Sequence, residues 1–154
     1  MVSAESGAVS IGANCVVMDT AVLRGVRGNP LTIGDSVLVG PRTYLTSCSI
    51  EAEVFVATGG ARVGRRAEVR TNGIVHLCTR LPEDATVPLG WIALGDPAEI
   101  LPPYEHERID SEGTRISELR LRGRAAIGWS IMPQLMPRNA KALQSQRQDQ
   151  VISG

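Results

Sequence analysis

An aliphatic side chain returns at nearly every sixth position through most of this chain. From Ile33 it recurs at Val39, Leu45, Ile50, Val56, Val63, Val69 and Val75, often followed by Gly or another small residue. An amphipathic helix and a hairpin meander both call for a denser apolar face, repeating at 3.6 and at 2. A parallel β-helix meets the pattern. Each short stretch of about six residues forms one side of a triangular coil, with the aliphatic residue inside the prism and the small residue at the turn. One coil cannot bury its own apolar edge, so several must stack.

The repeat begins earlier, at Ile11, and runs through Val17 and Leu23 before Arg24 to Pro30 interrupts it. Two Gly and one Pro in that stretch predict a loop projecting from a coil, a place where function commonly sits. After Val75 the register continues through Leu81 and Val87, with Pro82 and Pro88 at corners, and Trp91 to Pro97 closes the stack. The organisation expected is a β-helix domain over residues 9–103 and a C-terminal helical extension with a frayed tail over 104–154. Within the extension, Tyr104 to Glu118 is charged. Arg115 to Met132 has a partly helical pattern despite Gly123 and Gly128, each costing about 1 kcal/mol relative to Ala. It reads as a helix lying along the prism, with a partner-binding helix as the rival. Asn139 to Gly154, rich in Gln and Ser, reads as frayed.

Composition sharpens this picture. The 154 residues suit one domain, and with 43% hydrophobic but only 3% aromatic residues the core must be Val, Ile, Leu and Ala, as a narrow prism requires. Sixteen basic residues balance sixteen acidic ones, which removes the electrostatic argument for a nucleic-acid or acidic-membrane partner. No basic-then-apolar leader and no run of about eighteen apolar residues is present, so the expectation is a cytoplasmic chain with no membrane span. Cys15, Cys48 and Cys78, odd in number and without CxxC spacing, read as reduced thiols.

Two segments carry a family likeness. Gly40 to Ile50, in the pattern GxxxxLxxCxI and preceded by LTIGDSVLVG, and the closing GWIALGDPAEILPP from Gly90 to Pro103 resemble the γ-class carbonic anhydrases and their hexapeptide-repeat relatives. The likeness covers roughly residues 9 to 103. It implies an all-β fold, a left-handed parallel β-helix of hexapeptide repeats, here with a C-terminal helical extension, assembled as a homotrimer. In that family three neutral histidines from two adjacent subunits hold Zn²⁺ or another divalent ion, whose bound water attacks CO₂. The matching positions here are Arg24, Pro41 and Thr46. The family's Arg-Gly-Asp falls near Ser3-Ala4-Glu5 and its Gln-Asp pair on Met18-Asp19. The histidines of a more similar subgroup fall on Thr20, Arg42 and Tyr44. Two histidines per chain give a trimer six, whereas three such sites need nine. The resemblance therefore implies the scaffold without the metal, with no metal and no cofactor expected.

The remaining candidates for chemistry surround that position. Arg24 and Arg42 beside the Tyr44 hydroxyl suit an anion, which arginine grips with two parallel hydrogen bonds, and Thr46 and Cys48 join them as candidate substrate contacts. His76, in the slot after an interior valine, is the candidate general base, with Asp19 and Tyr44 as the other catalytic candidates. Each has a bland counterpart. His76 also reads as a satisfied structural histidine, Arg24 and Asp19 as an intersubunit ion pair, and Tyr44 as filler of the space a metal would take. A mixed site of His76 with Cys48 or Cys78 also stays open. Arg62, Arg65, Arg66 and Arg70 invite a phosphate reading, but Glu51, Glu53 and Glu68 favour a solvated, paired surface. The functional expectation is a metal-independent small-molecule pocket at a trimer interface. The alternatives are a non-catalytic structural or regulatory trimer subunit and, more distantly, a hexapeptide acyltransferase.

Overall fold

The computed structural model describes residues 1–4, 6–57, 59–105 and 132–146. Short strands follow one another in three-sided turns. The first turn is β1 (Val2–Ser3), β2 (Val9–Ile11) and β3 (Val16–Val17), and the second β4 (Val22–Arg24), β5 (Leu31–Ile33) and β6 (Leu38–Val39). The third is β7 (Tyr44–Thr46), β8 (Ser49–Ile50) and β9 (Phe55–Val56), and the fourth β10 (Arg62–Val63), β11 (Glu68–Val69) and β12 (Ile74–Val75). The fifth is β13 (Arg80–Leu81), β14 (Thr86–Val87) and β15 (Ile92–Leu94), after which comes β16 (Glu99–Leu101). Each turn stacks on the last, giving three parallel faces: A, in the order β1-β4-β7-β10-β13; B, β2-β5-β8-β11-β14; and C, β3-β6-β9-β12-β15. This is the left-handed β-helix that the repeat and the family likeness led us to expect.

Register explains the six-residue period. Leu23, Leu45, Val63 and Leu81 stack in line behind face A, and Ile33, Ile50, Val69 and Val87 behind face B. Val39, Val56, Val75 and Ala93 stack behind face C. All are buried in one cluster, each aliphatic worth about 1.5–3 kcal/mol relative to exposure. The long step from Val56 to Val63 is taken up at a corner by Gly59 and Gly60, whose φ of 115° and 84° only glycine adopts freely.

At most other corners a non-glycine residue takes the left-handed conformation, among them Arg42 (φ 60°), Ser47 (48°), Arg66 (57°) and Asp84 (61°). That conformation is disfavoured for L-residues. Here it turns each backbone N–H onto a carbonyl of the preceding coil: Arg42 onto Asp19, Ser47 onto Arg24, Arg66 onto Ser47 and Asp84 onto Arg65. The stretch Arg24 to Pro30 forms the expected loop, a tight turn in which Val26 and Asn29 bridge around Arg27 and Gly28.

The two ends of the prism differ. β16 pairs antiparallel with β15, Leu101 opposite Ile92, and ends the parallel ladder. At the first turn, Val2, Ile11 and Val17 occupy interior registers yet are 57%, 41% and 39% exposed, because among the described residues no coil stacks on their free side. The outer side of face C is apolar, and over its first turns it is covered by α1 (Met132–Gln146), whose Met132 and Met136 pack on Val16 and Leu38. The helix expected over Arg115 to Met132 lies outside the described residues except for Met132, where α1 starts. Asn139 to Gln146, expected to fray, is helical despite Pro137, because burial of two methionines one turn apart outweighs weak local propensity.

Candidate functional site

Alternate residues of a strand point to opposite faces, so every interior residue of face A is flanked by two outward ones. Tyr44, Arg62 and Arg80 form one outward column, each in register with the next. Beside it run Thr46, Gly64 and Pro82. Gly64 is bare of necessity, since a Cβ there would sit 2.8 Å from the Glu83 nitrogen. A column of long side chains beside a column of small ones leaves a groove of about 900 Å³, whose lining is completed by Arg65, Glu83, Asp96 and Pro97.

The groove is electrostatically unbalanced. Arg66, just outside it, holds Asp84 at 2.6 Å and Glu83 at 3.6 Å, and Arg70 holds Glu68 at 3.8 Å. Arg62, Arg65 and Arg80 make no ion pair among the described residues. Arg62 instead lies over the Tyr44 ring, 5.8 Å from its centre, a cation–π contact that fixes the guanidinium plane. Of the two acids in the lining, Glu83 is already engaged by Arg66. Arg62 and Arg80 stand directly opposite one another on neighbouring strands, an arrangement that destabilises a sheet by a fraction of a kcal/mol.

The sequence candidates do not converge on one point. Tyr44 and Thr46 line the groove. Arg24 is in register with Thr46 on the same outer column, one turn away and outside the lining. Asp19 and Arg42 meet at the corner between faces C and A only through their backbones, the Arg42 N–H donating to the Asp19 carbonyl at 3.2 Å. His76 follows Val75 on face C and is 2% exposed, away from the groove. Cys48 lies in the core, where burial pushes its thiol up to about 12, so it is protonated at neutral pH. Cys78 is exposed, its Sγ donating to the Gly59 carbonyl at 3.2 Å.

Arg80 and Asp96 are groove residues that no local motif in the sequence marks, and Arg62 and Arg65 belong to a basic run whose neighbouring acids suggest a solvated surface. One coil spans eighteen residues where Arg66 meets Asp84, and the same spacing separates Tyr44, Arg62 and Arg80. That spacing is the signal that finds them. The expected pairing of Glu68 is present, with Arg70. Glu51 instead accepts hydrogen bonds from the Thr71 N–H at 2.8 Å and hydroxyl at 2.7 Å, which hold its carboxyl below the usual range. Among the described residues no three His, Cys, Asp or Glu side chains cluster closely enough to hold a metal ion, and no helix is long and apolar enough to cross a membrane.

No family model matches the chain. It is 26% identical over 107 residues to gamma carbonic anhydrase 1, mitochondrial, of Arabidopsis thaliana, a match covering 66% of this chain and 38% of that protein. It is 29% identical over 116 residues to protein YrdA of Escherichia coli, covering 71% of this chain and 61% of YrdA. The chain thus spans well under half the length of the plant relative. Among solved structures, a hexapeptide transferase family protein from Anaplasma phagocytophilum superposes with a TM-score of 0.62 at 22% identity, over 66% of this chain and 58% of that one. A Bacillus cereus protein classed among acetyltransferases gives 0.55 at 18% identity, over 69% and 75%. These structural likenesses establish the fold.

Proposed function

The chain fits the γ-carbonic-anhydrase-like hexapeptide-repeat family, and from that premise we propose that it is a homotrimeric member without hydratase chemistry, whose face A groove takes a small anionic ligand at a subunit interface. The observation that carries this reading is the groove itself, in which Arg62, Arg65 and Arg80 face open space without a carboxylate partner among the described residues. The positions that match the family's ligands do not fit a zinc ion. Arg24 is a fixed cation, Pro41 has no side-chain donor, and Thr46 offers one neutral hydroxyl, where Zn²⁺ takes imidazole, thiolate or carboxylate.

The test is direct. Purified protein incubated with Zn²⁺ leaves CO₂ hydration at the buffer rate in stopped-flow measurements, and robust hydration overturns the reading. A non-catalytic subunit is expected to fill the cleft between Arg24 and Arg42 of adjacent subunits with its own side chains, and a structure of the assembled oligomer tests that alternative. Acyl transfer needs a histidine at the reacting centre. No described histidine lines the groove, and acyl transfer unchanged by His76→Ala removes that alternative.

A further inference from the structure

We infer that the face A groove is built for a compact dianion, a phosphoryl group or two carboxylates a few ångströms apart, in preference to a monovalent anion. This deepens the anion-site reading and rests on it. Three observations lead there. The first is charge. Arg62, Arg65 and Arg80 present three guanidinium groups without an ion pair among the described residues, against the carboxylates of Asp96 and of Glu83, the latter sharing Arg66 with Asp84. The lining keeps a net positive charge, and two of its cations stand side by side, which favours an anion that can engage both.

The second is geometry. Arg62 and Arg80 arise in register from adjacent parallel strands, about 4.8 Å apart. Each guanidinium offers a planar fork of parallel N–H donors. Two forks rooted on adjacent strands can converge on two oxygens of one phosphoryl group, or take one carboxylate each. A single carboxylate occupies one fork and leaves the other cation unanswered. Tyr44 holds the Arg62 plane from beneath, and Thr46 supplies a hydroxyl from the neighbouring column.

The third is shape. Gly64 cannot be replaced without striking backbone, so the floor beside the arginines stays clear for the bound group. Asp96 sets an upper bound on charge, since a more highly charged anion meets its carboxylate. It also gives a hydroxyl or ammonium on the ligand an acceptor.

The experiment is calorimetric titration of the full chain at low ionic strength with inorganic phosphate, succinate and acetate. Phosphate or succinate is expected to bind on the order of tenfold more tightly than acetate, and Arg62→Gln and Arg80→Gln each to weaken that binding on the order of tenfold. Arg70→Gln, which alters a paired arginine at a different corner, is expected to leave it unchanged. Tighter binding of only one dianion supports the inference and identifies which of the two chemistries the groove takes. Equal affinity for acetate overturns the dianion inference alone. Binding that survives both Arg62→Gln and Arg80→Gln places the anion elsewhere and overturns it as well. Failure of all three anions to bind overturns the anion-site reading together with it.

Discussion

Faces A and B are built on the same interior and differ only outside. Behind both stand columns of buried aliphatics in matching register. The outer column of face B is Ser10, Thr32, Ser49, Glu68 and Thr86. Its groups answer one another: the Thr32 hydroxyl donates to Ser49 at 3.3 Å and Glu68 pairs with Arg70. The outer column of face A is Tyr44, Arg62 and Arg80, in which two cations face each other. Packing cannot be the cause, because these side chains point away from the core. The contrast sets the two faces apart by outward charge alone.

The largest effect tests the shared interior. Leu45→Ala under the groove and Ile50→Ala under face B are each expected to cost about 2–5 kcal/mol in urea unfolding, and a large difference between them would break the comparison at its base. Next comes the corner where face A passes into face B. The Cys48 thiol is raised from an ordinary 9.0 to about 12, so its contribution to stability is complete below the unfolded value. It is lost as pH rises from about 9 towards 12, with a slope approaching about 1.4 kcal/mol per pH unit. Unfolding across that range should show the decline, and Cys48→Ala should flatten it. In the native state at neutral pH a thiol reagent should modify Cys78 well before Cys48.

Two substitutions of opposite sign sharpen the contrast further. Arg80→Gln relieves the opposed cations and should stabilise the ligand-free protein by about 0.5 kcal/mol, while Glu68→Gln strips Arg70 of its partner and should cost about 0.3 kcal/mol. The same sign for both, by thermal unfolding, would mean that the two faces carry charge in the same way. The smallest effect is on the acid side. The Glu51 carboxyl is held low by Thr71, so its contribution is present above the ordinary carboxylate range and is lost as pH falls through its depressed value. Thr71→Val should make the protein unfold at a slightly higher pH on acidification.

The interior was legible in the sequence because its demand is local: an aliphatic residue returns at each side of the prism, and neighbours in the pattern are neighbours along the chain. The outer columns obey a longer rule. Arg62, Arg65, Arg66 and Arg70 look like one basic run, but the coil separates them, with Arg62 in the groove, Arg66 in an ion pair at a corner and Arg70 beside Glu68. Arg62 meets Arg80 instead, a whole coil away. Likeness to a metal site directed attention to Arg24, Arg42 and His76. The open charge lies one and two coils along from Tyr44. Cys48 follows Leu45 closely enough to look like part of the same outer surface, yet the short corner turns it into the core.

The packing of Met132 and Met136 against Val16 and Leu38 joins opposite ends of the polypeptide. A stacked coil otherwise needs only the coil next to it, so most of this molecule can form in the order in which it is translated. The first three turns are the exception. Val16, Leu38 and Phe55 on their outer side take their cover from the last described helix, which gives an assembly built from local contacts one contact of high order.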